Sequence, residues 1–220
     1  MQSWVGPVAL YMLRGLELTA ILAVVCSCAS VLLGMLLGSA LVAKPPFVRA
    51  TVRLFVELWR GLPLIVILFA IFFGLPAFGL RLGASAAAGV GLSLWGSAVI
   101  ADNVRGVIQS IPAGQLEAAR ALGLSWMKAM LLVILPQAIR RLLPPTLNLV
   151  TSLIHGTSLA AQLGALELLE SGRRLIQRLL LSVGDGHSLA IFGAVLVVYF
   201  CICYPLVLGS RWLERRQQAG

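Results

Sequence analysis

Polar positions in this chain are few and clustered. The stretches between them run uncharged for about 20 residues or more, the length that crosses a hydrocarbon core at 1.5 Å per helical residue. Five such windows lie between successive charges: residues 18–43, 61–80, 82–101, 142–166 with His155 taken as neutral, and 188–210. The pattern predicts an all-α integral membrane fold with about five transmembrane helices. In the fourth window Pro144 and Pro145 remove two backbone donors and Gly156 sits near the middle, so a distorted start and an irregular, broken course are expected there. The first positive charge, Arg14, follows the short apolar stretch 5–13 instead of preceding it, and no small-x-small site comes next. That is the reverse of a cleavable signal, so the first span is expected to be retained.

Composition agrees with the pattern. Of 220 residues 60% are hydrophobic and 11% charged, with mean hydropathy +0.98, whereas a soluble domain carries about 25% charge. Little chain is left for a separate soluble domain. The net charge of +9, from 17 basic and 8 acidic residues, would in a soluble protein point to nucleic acid. Here the basic residues are scattered through the gaps between apolar runs, where they act as a topology signal, and no nucleic acid partner is expected. On one side fall Arg14, Arg81, Arg173, Arg174 and Arg178; on the other fall Lys44, Arg49, Arg53, Arg60, Arg105, Arg120, Lys128, Arg140, Arg141, Arg211, Arg215 and Arg216. This split of 5 against 12 predicts an N-terminus outside and a C-terminal tail, 211–220, in the cytoplasm. The cysteines form two C-x-C pairs, Cys26/Cys28 and Cys201/Cys203, whose members point to separate sides of a helix. No metal site is expected.

The same topology leaves 102–141 as the largest cytoplasmic segment, with a smaller external loop at about 167–187. Within the former, Pro112 opens a run of helix formers, Gly123 closes it as a left-handed cap, and Ser125 caps a second helix starting at Trp126. Two short helices joined by an elbow are predicted. Small side chains at Ala118, Ala119 and Ala121 let a partner approach the backbone, and Glu117 and Arg120, three apart, offer charges for orientation. An interfacial helix on the inner leaflet is the alternative, with only Leu116, Leu122 and Leu124 to anchor it.

Glu117-Ala118-Ala119, three residues, Gly123, nine residues, then Val133-Ile134-Leu135-Pro136 resembles the E-A-A-x3-G-x9-I-x-L-P loop of ABC importer permeases, with Val133 in place of Ile. Val56-Glu57-Leu58-Trp59-Arg60-Gly61-Leu62-Pro63-Leu64 resembles the V-E-x-x-R-G-T-P-L segment of the polar amino acid (His/Arg/Gln/Glu) permeases, with Leu62 where Thr is usual. Ala101-Asp102-Asn103-Val104-Arg105-Gly106 through Gln109-Ser110-Ile111-Pro112 and Gly114-Gln115 resembles the same group's A-E-x-x-R-G-x-I-x-S-I-P-x-G-Q stretch, with Asp102 where Glu is usual. Ser152-Leu153-Ile154-His155-Gly156-Thr157-Ser158-Leu159 resembles its S-L-I-K-D-T-S-L segment. Together these cover nearly the whole chain.

The resemblance implies a type I ABC importer transmembrane domain over 16–209, with a coupling loop at 112–136, in the bacterial inner membrane. It implies a pore-forming subunit without enzymatic activity of its own. The expected partners are a cytoplasmic ABC ATPase dimer, a second permease subunit (a related chain or another copy), and a periplasmic or extracellular amino-acid-binding protein. ATP and Mg are expected on the ATPase, and no cofactor on this chain. Neither lysine lies in a P-loop, since Lys44 and Lys128 are followed by Pro45 and Ala129. By the same resemblance Glu117, Ala118, Ala119, Arg120, Gly123 and Pro136 are the ATPase-coupling residues.

Polar groups at membrane depth are functional candidates, with structural pairing as their rival. Glu57 and Arg60, three apart, are expected to pair at the cytoplasmic end of the second span. Pro63 beside them, and Asp102 and Arg105 at the end of the third, complete the structural or gating candidates. His155, Gly156, Thr157 and Ser158, inside the broken fourth span, are the substrate-path candidates, because unwound membrane segments expose backbone to substrate. His155 and Gly156 stand where the family has Lys and Asp. That loss of an acid disfavours a cationic substrate and leaves a neutral or acidic one, or a paired permease that holds it. Two other classes compete with this reading: an intramembrane hydrolase using Ser158 and His155, which lacks an orienting acid, and a stand-alone ion-driven secondary transporter of small polar solutes, which leaves the E-A-A loop unexplained.

Overall fold

Helix α1 (Val5–Leu41) covers the first window as far as Leu41 and extends well before it, its one proline, Pro7, falling in the first turn, where no hydrogen bond is lost. These are the coordinates of a computed structural model, which describes residues 5–42, 45–184 and 186–218. Lys44, one of the charges counted above, lies outside the described residues. Helix α2 (Pro46–Gly61) starts on a proline in its first turn and is amphipathic. Val56 is buried, while Phe47, Leu54 and Leu58 are exposed. It stops because Leu62 precedes Pro63 and is held extended at φ −93°, ψ 141°.

Beyond that break, α3 (Leu64–Phe69) continues through a wide turn at Ala70–Gly74 and a tight one at Leu75–Phe78, at 105° to α2. The second window is therefore one arm of a bent pair and not a straight span. Four described helices are long and apolar enough to cross a bilayer, and the bent pair makes a fifth when its two arms are taken as one span. Helix α4 (Ala84–Ser110) runs past the third window, so Asp102 and Arg105 lie within it instead of ending it.

The chain then forms α5 (Ala113–Ala121) and α6 (Trp126–Ala129), and a wide turn at Met130–Ile134 leads into α7 (Leu135–Thr157). The expected break in the fourth window does not occur at the prolines: α7 passes through Pro144 and Pro145. Its neighbour supplies donors there. Gln217 Nε2 donates to the Arg140 carbonyl at 2.6 Å, the acceptor that Pro144 leaves without its i+4 partner, and Ser210 Oγ donates to the Pro144 carbonyl at 3.2 Å. Narrowing comes later, in a tight helical stretch at Ser158–Leu163 that ends on Gly164 with φ +88°. The predicted external loop holds an amphipathic helix, α8 (Leu168–Val183), and α9 (Ser188–Gln218) crosses last.

The central contact is α1 against α4. A Cβ on Gly34 would stand 2.5 Å from Ile100 Cβ, and one on Gly38 the same 2.5 Å from Val104 Cβ. Gly96 meets Ser30, and Gly89 meets Leu22. Small residues let the two backbones approach within lipid, where dispersion and not burial from water holds helices together. The G-x-x-x-G pair therefore packs within the subunit. The partners rise together along both helices, so α1 and α4 run parallel, and the segment between them must return across the fold. Helix α9 runs from Tyr199, beside Glu167 at the start of α8, down to Gln217 beside Arg140. The chain thus has an α8 end, where α1 begins, and an α5 end, where α9 finishes.

Candidate functional site

The α5 end carries a built elbow. Pro112 stands one position before the first helical residue, as the N-cap, and its carbonyl accepts from Gln115 N–H at 3.0 Å. At the other end the Gly123 N–H donates to the Arg120 carbonyl at 3.0 Å and the Leu124 N–H to the Ala119 carbonyl at 3.2 Å, with Gly123 at φ +86°. This paired closure needs a left-handed residue, which glycine adopts without a Cβ penalty. Ser125 Oγ then accepts from the Lys128 N–H at 3.4 Å and starts α6.

The elbow presents Glu117, Ala118, Arg120 and Gly123 to the outside, and turns Ala119 inward. Leu122 is 85% exposed at its tip. Glu117 and Arg120 form no ion pair with each other or with any described residue. Pro136 is exposed in the first turn of α7. Two straps that the sequence did not announce hold the elbow in place. Gln137 Nε2 donates to Gln115 Oε1, tying α7 to α5, and Arg141 Nη1 donates to both the carbonyl and the hydroxyl of Ser110 at 3.1 Å, tying α7 to the end of α4. Ile111, Ile134 and Ala138 are buried behind it with Leu116 packed on them.

The expected Glu57–Arg60 pair is not formed. Arg60 Nη1 reaches instead across to Asp102 Oδ2 on α4, and Asp102 Oδ1 accepts from Arg105 Nη2 at 2.7 Å. Glu57 is exposed on α2, whereas Asp102 is the less exposed carboxylate and gains more from a cation. Asp102 thereby ties α2 to α4. Pro63 is exposed at the bend, its carbonyl accepting from Val66 N–H at 2.9 Å to start α3.

The four substrate-path candidates divide. His155 and Ser158 line a cavity of about 310 Å³ together with Leu169, Phe192 and Tyr199. Gly156 faces the opposite way, where a Cβ would stand 2.8 Å from Leu92 Cδ2, and buried Thr157 donates to the Ile154 carbonyl at 2.7 Å. The backbone at His155 and Gly156 is helical, not unwound, because its carbonyls keep helical donors. Ser158 Oγ donates to the His155 carbonyl at 2.6 Å, which commits the hydroxyl to structure.

Beside this cavity lies a fully buried carboxylate, Glu167, that no sequence motif announced. It caps α8, accepting from the Leu169 and Glu170 N–H groups at 2.9 and 2.8 Å, and from Tyr199 OH at 2.8 Å. Burial pushes its carboxyl above the usual range, and the three donated hydrogen bonds pull it back. The neighbouring Leu168 N–H donates to Thr19 Oγ1 at 3.1 Å, so the same corner joins α1, α8 and α9. The only sequence signal was an acid directly before an amphipathic run, an N-cap pattern.

Residues 30–218 match the model of a family described as binding-protein-dependent transport system inner membrane component. The chain belongs to this family. It is 34% identical over 218 residues to the glutamine transport system permease protein GlnP of Escherichia coli, covering 98% of this chain and 97% of that one. It is 35% identical over 184 residues to the probable glutamine ABC transporter permease protein GlnP of Bacillus subtilis, covering 84% and 83%. Among solved structures, that of an amino acid ABC transporter with histidines superposes with a TM-score of 0.84 at 26% identity, covering 94% of both chains. The fold is that of a type I ABC importer permease, and the chain is an inner membrane permease subunit. Membership of a binding-protein-dependent system sets aside the stand-alone ion-driven transporter. The permease's elbow, its straps and the His155 cavity all lie inside the matched region.

Proposed function

We propose that this permease imports a neutral polar amino acid, of which glutamine is the example to test, by alternating access driven from an ABC ATPase dimer docked on the elbow. The observation that carries this reading is the elbow itself: an exposed helix with two unpaired charges, strapped by Gln115, Gln137, Ser110 and Arg141 to α4 and α7. A rigid knob so attached passes a partner's motion to two membrane helices without dissipating it in a loop. On this reading Glu117, Ala118, Arg120, Gly123 and Pro136 form the docking face, and Ala119 seats it. ATP and Mg reside on the ATPase, this chain hydrolyses nothing, and a binding protein delivers substrate at the α8 end. A second permease subunit completes the pore.

His155 and Ser158 line the substrate path, while Gly156 and Thr157 support it from behind. No carboxylate lines their cavity, which suits a neutral side chain better than a cationic one. The names of the relatives support glutamine. In proteoliposomes, glutamine uptake is expected only when ATPase subunit, binding protein and ATP are all supplied. Uptake by this chain alone on an ion gradient would overturn the proposal, and arginine preferred over glutamine by the complete system would overturn its choice of substrate.

A further inference from the structure

A second cavity, of about 460 Å³, opens at the α5 end between α1, α2, α4 and the elbow. Arg49, Arg53 and Arg105 line it, with Gln109, Leu116 and Trp126, and no carboxylate is among its lining residues. Arg49 and Arg53, one helical turn apart on α2, make no ion pair and no side-chain hydrogen bond with any described residue. Arg105 gives one guanidinium nitrogen to Asp102 and holds its Nε buried without a partner. Three guanidinium groups around one space, one with an orphaned buried donor, call for an anion with several acceptor oxygens.

The surroundings indicate where that anion comes from. Helix α2 leaves Phe47 81%, Leu54 68% and Leu58 52% exposed on the face away from Arg49 and Arg53, and a helix so divided at the end of a membrane fold lies at headgroup depth. Basic pockets between helices at this depth hold lipid headgroups. The size suits a phosphodiester with its attached groups, since small-ligand sites begin at about 300 Å³. We propose that this cavity binds the phosphate of an anionic phospholipid. Because Leu116 belongs to the elbow, a seated headgroup braces α5 against α2.

The test uses the assembled transporter, with its ATPase, in nanodiscs holding equal amounts of phosphatidylglycerol and phosphatidylcholine, released into detergent and weighed by native mass spectrometry. The wild type is expected to retain phosphatidylglycerol in preference. The R49Q/R53Q variant is expected to lose about 25-fold of that preference, at about 5-fold per arginine, and R49K/R53K to keep most of it. Equal retention of both lipids by the wild type overturns the proposal, and so does an unchanged preference in R49Q/R53Q. Displacement of the retained lipid by inorganic phosphate also overturns it, since the site then takes a free anion. Should the double variant not assemble, the wild-type preference decides alone. None of these outcomes depends on which amino acid is carried.

Discussion

At the scale of single residues, side chains on different helices decided what spacing along one helix could not. The i, i+3 rule pairs Glu57 with Arg60, yet it sees only one helix face, and Arg60 found Asp102 on α4. Glu167 was invisible for the same reason: its partner Tyr199 comes from distant chain, as does Thr19, which accepts from the neighbouring Leu168 N–H. Its carboxylate satisfies two helix-terminal N–H groups and a buried phenol. Replacement by alanine leaves all three donors unmet, a capping loss of about 1 kcal/mol plus about 1–3 kcal/mol for the buried donors. Glu167→Ala is therefore expected to lower the unfolding midpoint in detergent by an amount equivalent to about 2–4 kcal/mol. Tyr199→Phe, which removes one donor and leaves two bonds to the carboxylate, is expected to cost about 1 kcal/mol. An unchanged midpoint for Glu167→Ala would show that the corner is not held by this residue.

At the scale of elements, punctuation was legible and tertiary compensation was not. The elbow followed from Pro112, Gly123 and Ser125, whose preferences are local and need no neighbour. The proline pair in α7 misled, because the donor that fills the carbonyl Pro144 leaves unpaired, Gln217, sits on α9. The bend at Leu62 and Pro63 was written in the sequence as a residue before proline, but the window of uncharged positions hid it. Gly123 offers a direct test of the elbow. Nothing lies within 4 Å of the Cβ it lacks, so a side chain there meets no clash, and the cost comes from φ +86° alone. A left-handed conformation costs a non-glycine residue about 1–2 kcal/mol, and more for a β-branched one. Gly123→Val is expected to assemble and to hydrolyse ATP while moving less substrate per ATP, with Gly123→Ala milder. Parallel assays of hydrolysis and uptake check this, and unchanged uptake by the valine variant would remove the elbow from the coupling path.

At the scale of the whole molecule, the number of crossings and the placement of charges support one another. Because α1 and α4 run parallel, the bent α2 and α3 pair must carry the chain back, which makes five crossings and sets the termini at opposite ends. Were that pair not a crossing, Arg81 would share a side with Arg49, Arg53 and Arg60, and the basic residues would divide 9 against 8. Five crossings divide them 12 against 5, the asymmetry that membrane insertion follows. The parallel packing of α1 on α4 and the charge bias are independent observations, and both require the short arm at Leu64–Phe78 to span. The α5 end, with the larger share of charge, should face the cytoplasm. In a background with the four native cysteines replaced, Arg81→Cys is expected to react with a membrane-impermeant maleimide added outside intact cells. Lys128→Cys, exposed on α6 beside the elbow, is expected to react only after permeabilisation. Labelling of Arg53→Cys, exposed on α2, from the same side as Arg81→Cys would mean that the bent pair does not cross. Labelling of Lys128→Cys from outside intact cells would place the elbow beyond the reach of a cytoplasmic ATPase.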